Sequence, residues 1–505
     1  MRSTRSPIVR PTGMLVMSLI AQLVSSAPAA AQGQATPSPA ALVQRAAKAL
    51  GGESALRAVS HVRTQFIATT FGLGQEETWA SAPRPTVSAG RTTLDLARGR
   101  RAVVQENRPP TATAVTNVRQ VLLSDFGFTE TNGTFAGLNA PALAAARRAI
   151  REQPDRLVLF ALDNPAAVRR LPARSWREEM VDGVRVVNGT DSIDLYFDRL
   201  TGRPLLTVTV TDDPILGDRT TEVAYTRWTL TGDVYLPRQV DTYANGRHAG
   251  VVAVAAAVVN GAADEADFVV ADSVAARVRA AATVAAAPVT VTLVSLGTGV
   301  WRAEGGTHHS LVVEQGNGLL VVEAPQNAAR VGALLDTLAS RFPGRRVTQL
   351  VNTHHHWDHA GGVREFLARG IPVLTHPRNV AFVTRLAAAP KTVAPDALSR
   401  RVRRPVIRAA TDSMAIGSGA SQVIILTIPT VHAEGMLAAY VPSAGALFTS
   451  DIMNPAPVPN IAGAIELLAF ARAHGFQVRS HAGGHGIVMP WSDVERAVPR
   501  EAQPR

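Results

Sequence analysis

The chain has 505 residues, a formal net charge of +11 and no cysteine; hydrophobic residues make up 46% and charged residues 18%. This describes two or three globular domains and excludes a wholly disordered chain. Without cysteine there is no disulfide framework, thiol nucleophile, thiolate zinc site or iron–sulfur cluster, so any metal falls to His and carboxylate. The basic excess does not read as a nucleic-acid signal. Lys48 and Lys391 are the only lysines, and Arg is spread along the chain. Its densest run, Arg400-Arg401-Val402-Arg403-Arg404, carries no interleaved aromatic residue and reads as a solvated loop or strand edge.

Arg2, Arg5 and Arg10 precede an apolar run, Met14 to Val24, too short to span a bilayer. Small residues at Ala29 and Ala31 then fit a cleavage site, so residues 1–31 read as a signal peptide and the remaining chain, at +8, as periplasmic or secreted. Residues 32–39 read as a linker. A helix pattern covers Ala40–Leu50 and ends at Gly51-Gly52, and a short second helix runs to about Ala58. The period then shifts to two, with strands expected near 61–70, 75–80, 90–96 and 101–107. A helix is expected over Ala140–Glu152. Strands follow at Ser192–Phe197, Pro204–Thr211, Thr221–Thr229, Arg238–Tyr243 and Val251–Val259. Residues 40–285 therefore read as a helix-flanked antiparallel β domain. His61 and His248 are isolated there and read as strand-surface or loop residues. The Tyr196-Phe197-Asp198 hairpin closing at Gly202, with Tyr235-Leu236-Pro237, resembles the half-barrels of periplasmic lipoprotein-sorting domains. That resemblance implies an apolar groove and no chemistry.

A low-complexity stretch, Ala281 to Pro288, marks a boundary, and residues 289–495 read as a second domain with a tail at 496–505. Strands (Val289–Leu296, His309–Glu314, Gly318–Glu323, Val347–Asn352, Pro372–Thr375, Val423–Ile428, Leu437–Val441, Leu447–Thr449) alternate with helices (Ala328–Arg341, Gly362–Leu367, Ala464–His474), which predicts sheets covered by helices. Four of the six residues in His354-His355-His356-Trp357-Asp358-His359 are His. The run follows a buried-looking strand and precedes Gly361-Gly362. In an extended backbone His354 and His356 point the same way and can converge on one metal. Asp358 and His359 point away from that pair and can reach a second. These are good ligands for Zn²⁺.

This pattern resembles the H-x-H-x-D-H signature of the metallo-β-lactamase superfamily, over roughly residues 289–495. The further motifs match Glu323 after a strand, in a position that supports the metal loop; His432, with Ala433 where a hydroxyl residue is usual; Asp451; and His485 in Gly483-Gly484-His485-Gly486. The resemblance implies an αββα sandwich, so that the whole chain is α+β. It implies one metal on His354, His356 and His432, a second on Asp358, His359 and His485, and Asp451 bridging both. His481 is the rival of His485. His355 faces away from the metals, and His308, His309 and His376 take supporting or loop roles. The implied cofactor is Zn, two per chain, with iron or a mixed pair left open. The implied activity is hydrolysis of an ester, lactone, thioester or amide by a metal-bridging hydroxide, with Asp358 as the catalytic residue that orients it and passes on its proton. β-Lactamases of the superfamily generally lack the bridging Asp, so Asp451 points to the glyoxalase II and lactonase branches. The alternatives are a β-lactamase, an iron-dependent dioxygenase of the same fold, and a periplasmic apolar-ligand binding protein. The expected partner is a small-molecule substrate, with no nucleic acid and no membrane span; oligomeric state stays open.

Overall fold

In the computed structural model, which describes residues 36–109, 115–189, 191–262, 264–282, 288–401, 404–453 and 461–502, thirteen of the described strands form one antiparallel sheet between His61 and Val259. Its strand His61–Phe71 pairs with Arg247–Val259, so two meanders meet in the middle of the sheet. Helices Pro39–Ala49 and Pro154–Asp163 bury Leu42, Val43, Leu157 and Val158 against Val184, Val186, Leu195 and Phe197 of one half. Asn139 caps helix Ala140–Arg151 by accepting from the Ala142 amide, and that helix sets Leu143 and Ile150 on Leu94 and Leu122 of the other half. The expected signal peptide lies outside the described residues. Among the described residues no helix is long and apolar enough to cross a membrane.

Several sequence expectations change. Residues 75–80, expected as a strand, form a loop. Gly74 sits at φ 84, and the Glu76 carboxylate accepts from the Gly74 amide at 2.7 Å, a local side-chain bond that competes with a strand ladder. Strand Gly217–Thr226 stops before Thr229, because Arg227 turns the chain at φ 55. Strands Thr116–Leu122, Gly127–Thr131, Val168–Trp176 and Glu179–Asn188 carry no expectation from sequence; Val168–Trp176, at the sheet edge, buries none of its residues.

The second part is the expected αββα sandwich. A seven-stranded sheet holds Thr292–Gly297, Val300–Gly305, His308–Gln315, Gly318–Val322, Arg346–Asn352, Val373–Thr375 and Ile407–Ala409 in that order. A six-stranded sheet begins at Ser413–Ile416 and ends at Val488–Pro490. Strand Gly318–Val322 reads as an unbroken apolar run because both its faces are covered. Leu320 and Val322, with Val351 of the neighbouring strand, face the other sheet and meet Ile425, Leu437 and Phe448. Leu319 and Val321 face helices Ala328–Arg341 and Val363–Ala368 through Leu334, Leu338 and Phe366. Across the inter-sheet core, Ala438 and Tyr440 pack outward toward helix Ile461–Ala473 through Leu467 and Leu468.

Residues 39–505 hold together as one body. Trp79 and Ile215 of the antiparallel sheet system pack on the helix-covered core of the sandwich. Lys391 donates to the Asp212 carboxylate at 2.5 Å and to the Asp213 carbonyl at 2.9 Å.

Candidate metal centre

The strand ends of the two facing sheets carry the candidate residues. Strand Arg346–Asn352 leads into His354, His355 and His356, and the short helix Trp357–Ala360 presents Asp358 and His359. That helix packs against the chain before it with no room to spare. A Cβ on Gly361 would lie 1.9 Å from the Gln326 carbonyl oxygen, and one on Gly362 2.1 Å from Val331 Cγ2. The glycines are required by close approach, not by unusual dihedrals. Elsewhere the backbone is strained: Glu323 (φ 76), Gln326 (φ 63) and Ser450 (φ 50), all non-glycine, adopt left-handed conformations at strand ends beside the site.

Two groups of side chains converge. His354, His356, His432 and Asp451 each offer one ligand atom within 4.8 Å of the others, and so do His308, Asp358, His359 and His485. Asp451 touches both groups. Its Oδ1 lies 2.9 Å from His359 Nε2 and 3.2 Å from His485 Nε2, and its Oδ2 lies 3.3 Å from His432 Nε2.

The hydrogen bonds fix which ring nitrogens are free. Glu323, fully buried, accepts from the Thr353 hydroxyl at 2.6 Å. That hydroxyl therefore accepts from His354 Nδ1 at 3.0 Å, leaving His354 Nε2 bare. His356 Nε2 donates to the Glu76 carbonyl at 2.9 Å, leaving Nδ1 bare. His354 Nε2, His356 Nδ1, His432 Nε2 and Asp451 Oδ1 are buried atoms without an aligned hydrogen-bond partner. In the second group His359 Nδ1 donates to Glu323 at 3.0 Å and His485 Nδ1 to the Thr307 carbonyl at 3.0 Å. Their Nε2 atoms face each other at 3.1 Å, an arrangement that requires a proton or a cation between them. This donor set, imidazole nitrogen with carboxylate oxygen, fits divalent cations.

The electrostatics agree. Burial, reinforced by the neighbouring imidazoles, pushes His354 well below the ordinary imidazole value and His356 down to about 3. Burial acts the same way on His359 and His485. There the carboxylates of Glu323 and Asp451, and for His485 that of Asp451, overcome it and raise both. Burial would raise Asp358, but His308, His359 and Gln75 hold it down at about 2. The first pair of rings is thus held neutral, with lone pairs to offer, while the carboxylates favour positive charge at the second pair.

All seven sequence-predicted residues, His354, His356, Asp358, His359, His432, Asp451 and His485, come together here. His481 does not: it is buried beside Thr449, its Nε2 2.9 Å from that hydroxyl. His355 turns away, its Nε2 donating to the Glu76 carbonyl at 2.9 Å. His309 braces the turn that carries His485, its Nε2 3.1 Å from the Gly486 carbonyl. His376 caps the turn at Pro377 by accepting from the Arg378 amide. His308 stands closer to the centre than the sequence suggests. Gln326 donates to its Nδ1 at 3.2 Å, so its Nε2 donates to Asp358 Oδ2 at 3.2 Å.

The contribution of Gln75 and Glu76, almost three hundred residues away, was missed. Gln75 Nε2 donates to Asp358 Oδ1 at 2.7 Å. The available signal was the pair Gly72 and Gly74 before a polar Gln75-Glu76-Glu77, which is turn chemistry inside an expected strand.

The metallo-beta-lactamase superfamily model matches residues 303–491. A 162-residue stretch is 25% identical to the 2,4-dinitroanisole O-demethylase subunit alpha of Nocardioides sp. (strain JS1661), covering 32% of this chain and 46% of that relative, so less than half of its length is matched. Among solved structures, a metallo-beta-lactamase from Pontibacter korlensis is 16% identical with a TM-score of 0.33, covering 41% of this chain and 97% of that one. The FIM-1 metallo-beta-lactamase from Pseudomonas aeruginosa is 15% identical with a TM-score of 0.33, covering 41% of this chain and 93% of its own. The αββα layers and the His and Asp residues gathered at the strand ends thus lie in the segment 303–491, the part of the chain that matches the metallo-beta-lactamase superfamily.

Proposed function

We propose that the chain is an exported hydrolase with two zinc ions per chain that cleaves an ester, lactone, thioester or amide of a small molecule. The observation that carries this reading is the set of bare ring nitrogens aimed at one another and at Asp451. In this reading His354, His356 and His432 hold one cation, Asp358, His359 and His485 the other, and Asp451 lies between. When bound, the cations supply Lewis acidity: they lower the pKa of water toward ~7 and polarise a carbonyl. The chain's own residues do the rest. Asp358, ionised at neutral pH, orients the attacking water, accepts its proton and passes it to the leaving group. Glu323, through His359 and through Thr353 to His354, keeps the Nε2 atoms of both rings free. His432 and His485 are partly exposed, which leaves the substrate a way in from their side.

Metal analysis and a substrate panel test the proposal together. Protein purified without added metal should hold about two zinc per chain and hydrolyse one of the lactones, thioesters or β-lactams offered in preference to phosphodiesters. 2,4-Dinitroanisole belongs in the panel because the relative named above acts on it. Asp451→Ala should stay folded, lose metal and lower kcat by about two orders of magnitude or more, the scale of a lost electrostatic group at a reacting centre. One iron per chain with oxygen consumption would overturn the hydrolase reading. Export is tested by N-terminal sequencing of the periplasmic protein, with Gln32 expected first.

A further inference from the structure

We infer that the loop 72–82 of the antiparallel sheet is a working part of the metal centre, with Gln75 and the Glu76 carbonyl as positioning groups for Asp358 and His356; this rests on the two-cation reading above. Both groups lie outside the segment 303–491 that matches the superfamily.

The loop reaches both ligand-bearing segments. Gln75 Nε2 donates to Asp358 Oδ1 while His308 Nε2 donates to Oδ2, so the carboxylate is held from two sides and its plane is set. One carbonyl, that of Glu76, accepts from His355 Nε2 and His356 Nε2 at 2.9 Å each. A carbonyl oxygen has two lone pairs, and both are used. The bond to His356 does more than orient the ring. It places the proton on Nε2 and leaves Nδ1, the atom aimed at the first group, without one. Two further backbone bonds tie the loop to the centre: the Trp357 amide donates to the Gly74 carbonyl at 3.2 Å, and the Glu434 amide to the Glu77 carbonyl at 2.7 Å.

The loop is itself fixed from behind. The Glu76 side chain is 1% exposed, and its two oxygens accept from the Gly74 amide and from Arg247 at 2.7 and 2.5 Å. Arg247 belongs to the strand Arg247–Val259 at the middle of the sheet. The line of force therefore runs from the sheet through Arg247 and Glu76 to His356, and separately through Gln75 to Asp358. Gly74 completes the fit: it adopts φ 84 against Trp357, and a Cβ added to it would stand 3.2 Å from Trp357 Cδ1.

The two lines predict a split between the two cations. Cobalt(II) is the probe, because its visible bands report each site's ligand geometry. Gln75→Met keeps the side-chain length and removes the donor. It should weaken the second cobalt ion, the one on Asp358, by about 10–100-fold and leave the first unchanged, the range set by losing one outer partner of a ligand. Arg247→Met leaves Glu76 buried without its cation and frees the carbonyl to move. It should weaken the first ion, the one on His356, more than the second. Adding Glu76→Gln to Arg247→Met removes the unpaired charge, keeps an acceptor for the Gly74 amide, and should recover part of the first ion's affinity. Thermal midpoints of the metal-free variants control for folding. Wild-type affinities for both ions in both single variants, or an equal loss at both ions in each, would overturn the inference while leaving the two-cation reading intact. A wild-type protein that binds no cobalt would overturn both.

Discussion

Replacing Glu323 by Gln tests how the centre keeps its ring nitrogens free. The side chain keeps its volume, so the buried pocket is not opened or overfilled. What changes is the acceptor count. As a carboxylate, Glu323 accepts on Oε1 from Thr353 at 2.6 Å and on Oε2 from His359 Nδ1 at 3.0 Å. An amide has one acceptor end and one donor end. If its oxygen stays toward His359, its NH₂ points at the Thr353 hydroxyl, which then donates to His354 Nδ1 and drives that ring's proton to Nε2. If the amide is reversed, NH₂ meets His359 Nδ1–H and the proton moves to Nε2 of that ring instead. Either way one bare nitrogen is lost. Losing such an outer partner costs about 10–100-fold in metal affinity, or about 1.4–2.7 kcal/mol. Competition with a chromophoric chelator measures this directly, and ¹⁵N spectra of the imidazoles report the tautomers. Wild-type affinity with unchanged tautomers would refute the chain of hydrogen bonds on which the reasoning stands.

Gly361→Ala must push the Gln326 carbonyl away from its 1.9 Å approach, so it should shift the helix carrying Asp358 and His359; isothermal titration should show weaker metal binding than in a Gly344→Ala control, whose glycine has open space around it. The control carries its own strain at φ 79 but sits in an open turn, where an added Cβ meets nothing within 4 Å. Phe448→Ala empties a fully buried position between the two sheets and should cost about 3–5 kcal/mol, read from urea unfolding. Burial would raise Asp396, but Arg364 and the Ser399 amide hold it near 2, below the usual ~3.9 of the unfolded chain. The stability this lends is present above about pH 4 and disappears as pH falls toward 2. Asp396→Asn should therefore be about 1–2 kcal/mol less stable at pH 7, a figure reduced because the carboxylate is one quarter exposed, and should converge with the parent near pH 2 when metal-free samples are unfolded in urea.

The parts of the molecule legible in sequence are those where one residue type has one physical use. Four imidazoles in six positions have no structural reason to cluster, so the region around His354–His359 was readable at once. The unbroken apolar runs at Gly318–Val322 and Leu437–Val441 were readable because both faces of each strand are buried. What the sequence concealed is long-range pairing. Nothing about Gln75 distinguishes an amide that will hold a carboxylate nearly three hundred positions away from one that will face solvent. The strand Val168–Trp176 was invisible for another reason: lying at the sheet edge with no buried residue, it shows no apolar alternation. His308 was placed at the rim because its neighbours in sequence, Thr307 and His309, say nothing of Asp358; only the pairing of its strand with Gly318–Val322 and the seating of Gln326 at φ 63 bring the two together.

The strained residues show how the fold and the centre depend on each other. Glu323, Gln326 and Ser450 each occupy a conformation costing a non-glycine residue on the order of 1–3 kcal/mol. Each stands where a strand hands over to a loop that carries or orients a candidate ligand. Glu323 aims its carboxylate at His359 and Thr353, Gln326 aims its amide at His308, and Ser450 precedes Asp451. Relaxing any one to an ordinary dihedral would swing its side chain, or its neighbour's, out of the site. The cost is offset by the two strands that end in these turns, Gly318–Val322 and Ala446–Phe448, whose residues are buried throughout. Strain of this kind can persist only where packing on both sides over-determines the backbone. That is why the strained turns at Glu323 and Ser450 follow strands that are buried throughout. A cation bound between the bare ring nitrogens would add its binding free energy to the same folded state, so the metal-loaded protein should tolerate core substitutions that unfold the metal-free one.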